Sequence, residues 1–141
     1  MRPAEARLLE DHGIKPSAQR VAIAKYVLHT DEHPSADEIW ARVSKAFPMI
    51  SRATIYNTLN LFVDKGLLRL LVLTEGRLVF DSNVSRHHHF IDEDTGKIYD
   101  LPWDTLEVSR VERIKGFEVR DYQVLLRGKK RRGRREKRHA D

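Results

Sequence analysis

The spacing of apolar residues changes character near residue 66, from a helical repeat to short runs bounded by turn residues. Residues 3–12 read as a short helix stopped by Gly13. Pro16 and Ser17 open a second, with Val21, Ala24, Tyr26, Val27 and Leu28 as its apolar positions. A third begins at Ser35, where Glu38 stands at capping-box spacing; Ile39, Trp40, Val43 and Phe47 follow and Pro48 closes it. Ser51 caps a fourth that runs to about Lys65 and stops at Gly66. Its apolar face is Ile55, Leu59, Phe62 and Val63; Ala53, Asn57 and Asn60 point the other way, with Arg52 and Tyr56 on one shoulder.

Residues 67–73 and 77–80 then read as two strands around Thr74-Glu75-Gly76. Helices followed by a hairpin are the plan of a winged helix-turn-helix, with the fourth helix as the reader of DNA. Arg52, Ala53, Thr54, Tyr56 and Asn57, at its start, are the candidate DNA-binding residues, because such groups reach base edges and phosphates in the major groove. The polar stretch from Asp81 to Ser85 reads as a hinge. Beyond it come a strand over 87–92, a turn at Asp94-Thr95-Gly96, a strand over 97–101, a helix over about 103–113 and a long strand over 117–127. This β-β-α-β unit of about 40 residues is small for independent stability, so it is expected to pair with a second copy as a dimerisation module. The fold class is therefore α+β: a winged-helix domain over 1–81, a hinge over 82–86, a small α/β dimerisation and metal-binding domain over 87–128, and a basic, disordered tail over 129–141.

Charge sharpens this division. The net charge is +5, yet residues 129–141 alone carry eight Lys/Arg against Glu136 and Asp141, or +6, which leaves −1 for the rest. The tail is a candidate sequence-independent phosphate-binding arm. No apolar run is long enough for a membrane span and the N-terminus does not read as a signal peptide, so a cytoplasmic protein with no membrane partner is expected. There are no cysteines, which excludes disulfides and thiolate metal sites within this sequence.

Candidate chemistry lies in His87-His88-His89. On a strand, His87 and His89 share one face and His88 takes the other, so the pair offers a bite for a divalent metal. If Asp94-Thr95 is a two-residue turn, the register sets His89 opposite Asp100, about 5 Å across the hairpin. His12, His29 and His139 have no such company and read as surface residues.

Five segments jointly resemble the ferric-uptake-regulator family of metal-dependent bacterial transcription factors: His33 to Ile39, Ser51 to Asn57, Phe80-Asp81, His87-His88-His89 and Gly96 to Asp100. The resemblance runs from about residue 8 to residue 127 and is nearest to the peroxide-sensing, PerR-type branch, since Asp81 stands where the iron-sensing branch has Glu. It implies a regulatory metal held by His33, Asp81, His87, His89 and Asp100. Such a nitrogen and oxygen set suits Fe²⁺ or Mn²⁺, with Zn²⁺ also able to bind. It further implies a homodimer on a palindromic double-stranded DNA operator, and Fe²⁺-catalysed oxidation of His33 or His87 by hydrogen peroxide. These ligands fall on both sides of the hinge, so metal binding would fix one relative orientation of the halves.

The departures are informative too. Asp92 and Thr95 stand where most members have the first Cys pair of a structural zinc site, and the second pair is absent, which implies a variant without that zinc. A further metal site of some members would fall on His88, Glu107 and Tyr122, where Tyr122 replaces a histidine. Three other readings stay open on the residues: an iron- or haem-responsive repressor of the same family, a mononuclear non-haem metalloenzyme, and a nucleic-acid binder driven by the basic tail. Against the enzyme, the chain has no His-Glu-x-x-His, nucleophile-elbow or phosphate-loop motif, and the expectation is a regulator rather than an enzyme.

Overall fold

The computed structural model describes residues 2–131. The expected tail over 129–141 lies mostly outside the described residues. The chain divides into two compact units between Val84 and Ser85.

The first unit carries α1 (Ala4–Asp11), α2 (Ala18–Val27), α3 (Ala36–Val43), α4 (Arg52–Asp64), β1 (Arg69–Val72) and β2 (Leu78–Asp81). Three of its helices start on a serine that satisfies an orphan backbone donor: Ser17 accepts from the Arg20 N–H, Ser35 from Glu38 and Ser51 from Thr54. At Ser35 the box is complete, because the Glu38 carboxylate also accepts from the Ser35 N–H at 3.1 Å. Gly66, at φ 82°, lets the chain leave α4 in the left-handed conformation that a side chain would disfavour. The helices bury one apolar core around Leu9, Ile23, Ile39, Ile55, Leu59 and Phe62. Each of these side chains is fully buried and contributes roughly 1.5–3 kcal/mol over an exposed position. The core stripe is wider than expected: Ile23 and Thr58 are buried as well, while Val21, Tyr26, Leu28 and Val63 pack against the core partly buried. α3 is also shorter than predicted, giving way to turns after Val43 while Phe47 still packs on the core.

β1 and β2 pair antiparallel from Arg69↔Asp81 to Val72↔Leu78. Their connection is a single 3-10 turn, Thr74–Gly76, with Glu75 and Gly76 both at positive φ. The hairpin is tied to the helices through the Phe80 N–H, which donates to the Pro34 carbonyl at 2.9 Å. That bond brings the end of β2 alongside the segment that enters α3.

The second unit is a three-stranded sheet of order β4-β3-β5, formed by β3 (His87–Asp92), β4 (Ile98–Pro102) and β5 (Leu125–Gly128). β3 pairs antiparallel with β4 and parallel with β5. The hairpin turn is closed by side chains: Asp92 Oδ1 accepts from the Asp94 N–H at 2.9 Å and Thr95 Oγ1 from the Lys97 N–H at 3.2 Å. Asp92 and Thr95 are thus occupied in shaping the turn.

Two expected elements of this unit differ. Residues 103–113 do not form an α-helix; they make two separate 3-10 turns, Trp103–Thr105 and Val111–Arg113. Leu106 is extended and Arg110 left-handed, and no residue of the stretch is buried. A helix this short needs a buried apolar face, and no side chain of the stretch is buried. The strand predicted over 117–127 is confined to Leu125–Gly128. Phe117 to Arg120 are largely exposed, with no neighbouring strand among the described residues to satisfy them.

Candidate metal centre and DNA-reading face

Each unit carries its own set of the metal-ligand candidates. In the first, His33 Nε2 lies 3.3 Å from Asp81 Oδ2, and both side chains are nearly inaccessible. The bond from Phe80 to Pro34 explains the juxtaposition, since it aligns the residues that flank each partner. Asp81 is further oriented by its other oxygen, Oδ1, which accepts from the Asn83 N–H at 2.9 Å. That leaves Oδ2 directed to His33.

In the second unit, His87 and His89 share a face of β3, with ring centroids 4.5 Å apart. His89 is the cross-strand partner of Asp100, the register that a two-residue turn predicts. Asp100 Oδ1 stands 3.4 Å from His87 Nε2 and 3.5 Å from His89 Nε2. The two histidines are buried while Asp100 is exposed. The His87 ring is fixed by a 2.6 Å bond from Nδ1 to the Ser85 carbonyl. A carbonyl can only accept, so Nδ1 carries a proton and the bond holds the ring with Nε2 toward Asp100. Spacings of this size suit donor atoms that share one small cation, and the set contains no sulfur.

His88 takes the opposite face, as alternation requires, and is engaged there. Its Nδ1 accepts from the Val124 N–H at 2.9 Å, and its ring stacks on Trp103 at 4.5 Å with an interplanar angle of 17°. The Arg86 guanidinium lies 3.8 Å over the Trp103 ring, and Tyr122 completes the group. Sequence reasoning misses this stack, because Phe80, Phe90 and Tyr99 all stand nearer to His88 along the chain than Trp103 or Tyr122 does. Of the other histidines, His29 pairs with Glu5 at 3.1 Å and the His12 Nδ1–H donates to the Leu8 carbonyl; His139 lies outside the described residues.

On α4, Arg52, Ala53, Tyr56 and Asn57 are exposed, whereas Thr54 is half-buried and bonds Ser51, the cap, at 2.9 Å. Asn57 and Thr54 line a groove of about 420 Å³ with Lys15 and with Gln19 and Arg20 of α2. Arg52 and Tyr56 are both engaged by one residue that sequence reasoning passes over. Asp37 Oδ1 lies 3.6 Å from Arg52 Nη1 and accepts from the Tyr56 hydroxyl at 3.2 Å. The guanidinium also covers the Trp40 ring at 4.6 Å, and Trp40 is held by its indole N–H, which donates to the Ile50 carbonyl. The Asp37 hydrogen bond, followed by burial, raises the Tyr56 phenol above its ordinary 10.0, so it remains a donor at neutral pH.

Comparison with known proteins agrees with this geometry. Residues 11–127 match the model of the ferric uptake regulator family. The chain is 38% identical over 122 residues to the peroxide-responsive repressor PerR of Staphylococcus aureus (strain Mu50 / ATCC 700699), covering 85% of this chain and 82% of that protein. Among solved structures it is similar to the Vibrio cholerae ferric uptake regulator (TM-score 0.70, 26% identity, 89% of this chain and 98% of that one). It is similar also to the Campylobacter jejuni peroxide stress regulator (TM-score 0.67, 26% identity, 89% and 96%). Proteins of this kind are metal-responsive regulators that act as DNA-binding dimers, and they are not enzymes. The chain belongs to the ferric uptake regulator family.

Proposed function

We propose that this protein is a transcriptional repressor that binds a palindromic operator as a homodimer and releases it when hydrogen peroxide oxidises its regulatory metal site. His33, Asp81, His87, His89 and Asp100 would together hold one Fe²⁺ or Mn²⁺, each unit supplying part of the set. The domains run over 1–81 and 87–128, joined by a hinge at 82–86. The observation that carries this reading is the convergence of His87 Nε2 and His89 Nε2 on one oxygen of Asp100, at 3.4 and 3.5 Å, a nitrogen and oxygen set that suits Fe²⁺ or Mn²⁺. No described helix is long and apolar enough to cross a membrane, in keeping with a protein that works on DNA in the cytoplasm.

Fe²⁺, held by His33, Asp81, His87, His89 and Asp100, would supply the redox chemistry by which one oxygen of hydrogen peroxide is added to a ligand histidine while the other leaves as water. The chain's own residues prepare the site and transmit its loss. Ser85 and Asn83 orient His87 and Asp81, so both units present prearranged donors and little entropy is lost on binding. A ligand that needs donors from both units favours whichever arrangement of the units offers all of them. Oxidation of His33 or His87 removes one such donor and with it that preference. Arg52, Ala53, Thr54, Tyr56 and Asn57 then lose their paired presentation to successive major grooves.

The test is mass spectrometry of the Fe²⁺-loaded protein before and after peroxide, beside operator binding. The expected result is the added mass of one oxygen atom on His33 or His87, with loss of DNA binding, and neither in the Mn²⁺-loaded protein. DNA binding that follows Fe²⁺ or haem but ignores peroxide would instead assign an iron- or haem-responsive repressor.

A further inference from the structure

Arg52 and Tyr56 are one helical turn apart on α4, both exposed, and both directed to the same oxygen of a residue on α3. Asp37 lies in the first turn of α3, where the helix dipole favours its charge. Its carboxylate is therefore held in place beside the two groups best suited to touch DNA. An anion there is costly near a phosphate backbone, and electrostatic attraction to phosphates is what non-cognate DNA chiefly offers. Base edges offer more: a bidentate partner for a guanidinium, and amino groups that a carboxylate can accept from.

We propose that Asp37 is a specificity-determining residue, which holds the Arg52 guanidinium and the Tyr56 hydroxyl so that they are given up only to DNA offering better partners than a carboxylate. The Trp40 ring beneath Arg52 acts in the same sense, since it limits the guanidinium to a narrow set of directions. At a fitted site the Asp37 carboxylate can in turn accept from a base amino group, which offsets the release of Arg52 and Tyr56; arbitrary sequence offers no such donor, so Asp37 lowers affinity there. This inference rests on the DNA-reading function proposed above.

The experiment uses the Mn²⁺-loaded full chain and two duplexes: one enriched from a randomised library by the unsubstituted protein, the other of random sequence. Asp37→Asn is expected to bind the random duplex about three- to fivefold more tightly, the upper part of the range for losing an exposed ion pair, and the enriched duplex with little change. Preference for the enriched duplex falls accordingly. Asp64→Asn, the same charge change at the far end of α4, should leave the preference unaltered. In an Arg52→Ala, Tyr56→Phe background, Asp37→Asn should no longer change it. An equal shift on both duplexes means a plain charge effect and overturns the proposal, as does no shift, or a preference that still responds in the doubly substituted background. If the unsubstituted protein enriches no duplex, the DNA-reading function itself falls; if it does and Asp37→Asn keeps the full preference, only the role of Asp37 falls.

Discussion

The two units solve the problem of a small core differently. The first packs a continuous apolar interior from four helices and the base of a hairpin. Among its described residues, the second buries only Ile91 and Ile98 of the apolar ones, and its other buried side chains are His87, His88, His89 and Asp92. Burying polar groups costs stability unless every one is partnered. One unit is thus self-sufficient by hydrophobic burial, whereas the other depends on what its polar residues find to bind. A sensor gains from that asymmetry, because the weakly cored part is the one a ligand can reorganise.

The contrast can be broken by substitution. Phe62→Ala, at a fully buried site of the first unit, should cost about 3–5 kcal/mol by urea unfolding. An equal loss from Ile91→Ala would contradict the idea that the second unit depends little on apolar burial. Addition of Mn²⁺ at about a hundred times its Kd should stabilise the protein by ~2.7 kcal/mol, seen as a rise in Tm. His89→Ala should abolish that rise while leaving the metal-free melting of the first unit unchanged. Trp103→Ala, which removes the stack on His88, should cost about 1–2 kcal/mol. Its signature is faster hydrogen exchange at the Val124 amide, with no change at Phe80. The smallest effect belongs to Ser35→Ala, about 1 kcal/mol from loss of the capping box, read as a lower urea midpoint.

Legibility in the sequence tracks how local each determinant is. Ser17, Ser35 and Ser51 each announce a helix because the cap and its donor lie within a few residues. The pairing of His89 with Asp100 is countable from the turn between them. Residues 103–113 mislead because an apolar repeat does not say whether a surface exists to receive it. Asp37 is silent for a related reason: its partners are far along the chain, and only the packing of α3 against α4 brings them together. Likewise, nothing in the order His87-His88-His89 announces that the middle ring lies on Trp103 and grips Val124.

The parallel pairing of β5 with β3 has a consequence in time. β3 and β4 are joined by a tight turn, so their hairpin closes over a short loop. β5 must return across residues 103–124, a crossover that contains no α-helix to shorten the search. Contacts of long sequence separation form late. His87, His89 and Asp100 all sit on the early hairpin, and the last strand to arrive takes hold of His88 and the His89 amide through Val124. The donors of the second unit are therefore expected to be set before the sheet that supports them is complete, which pulsed hydrogen exchange would show as earlier protection of β4 than of β5.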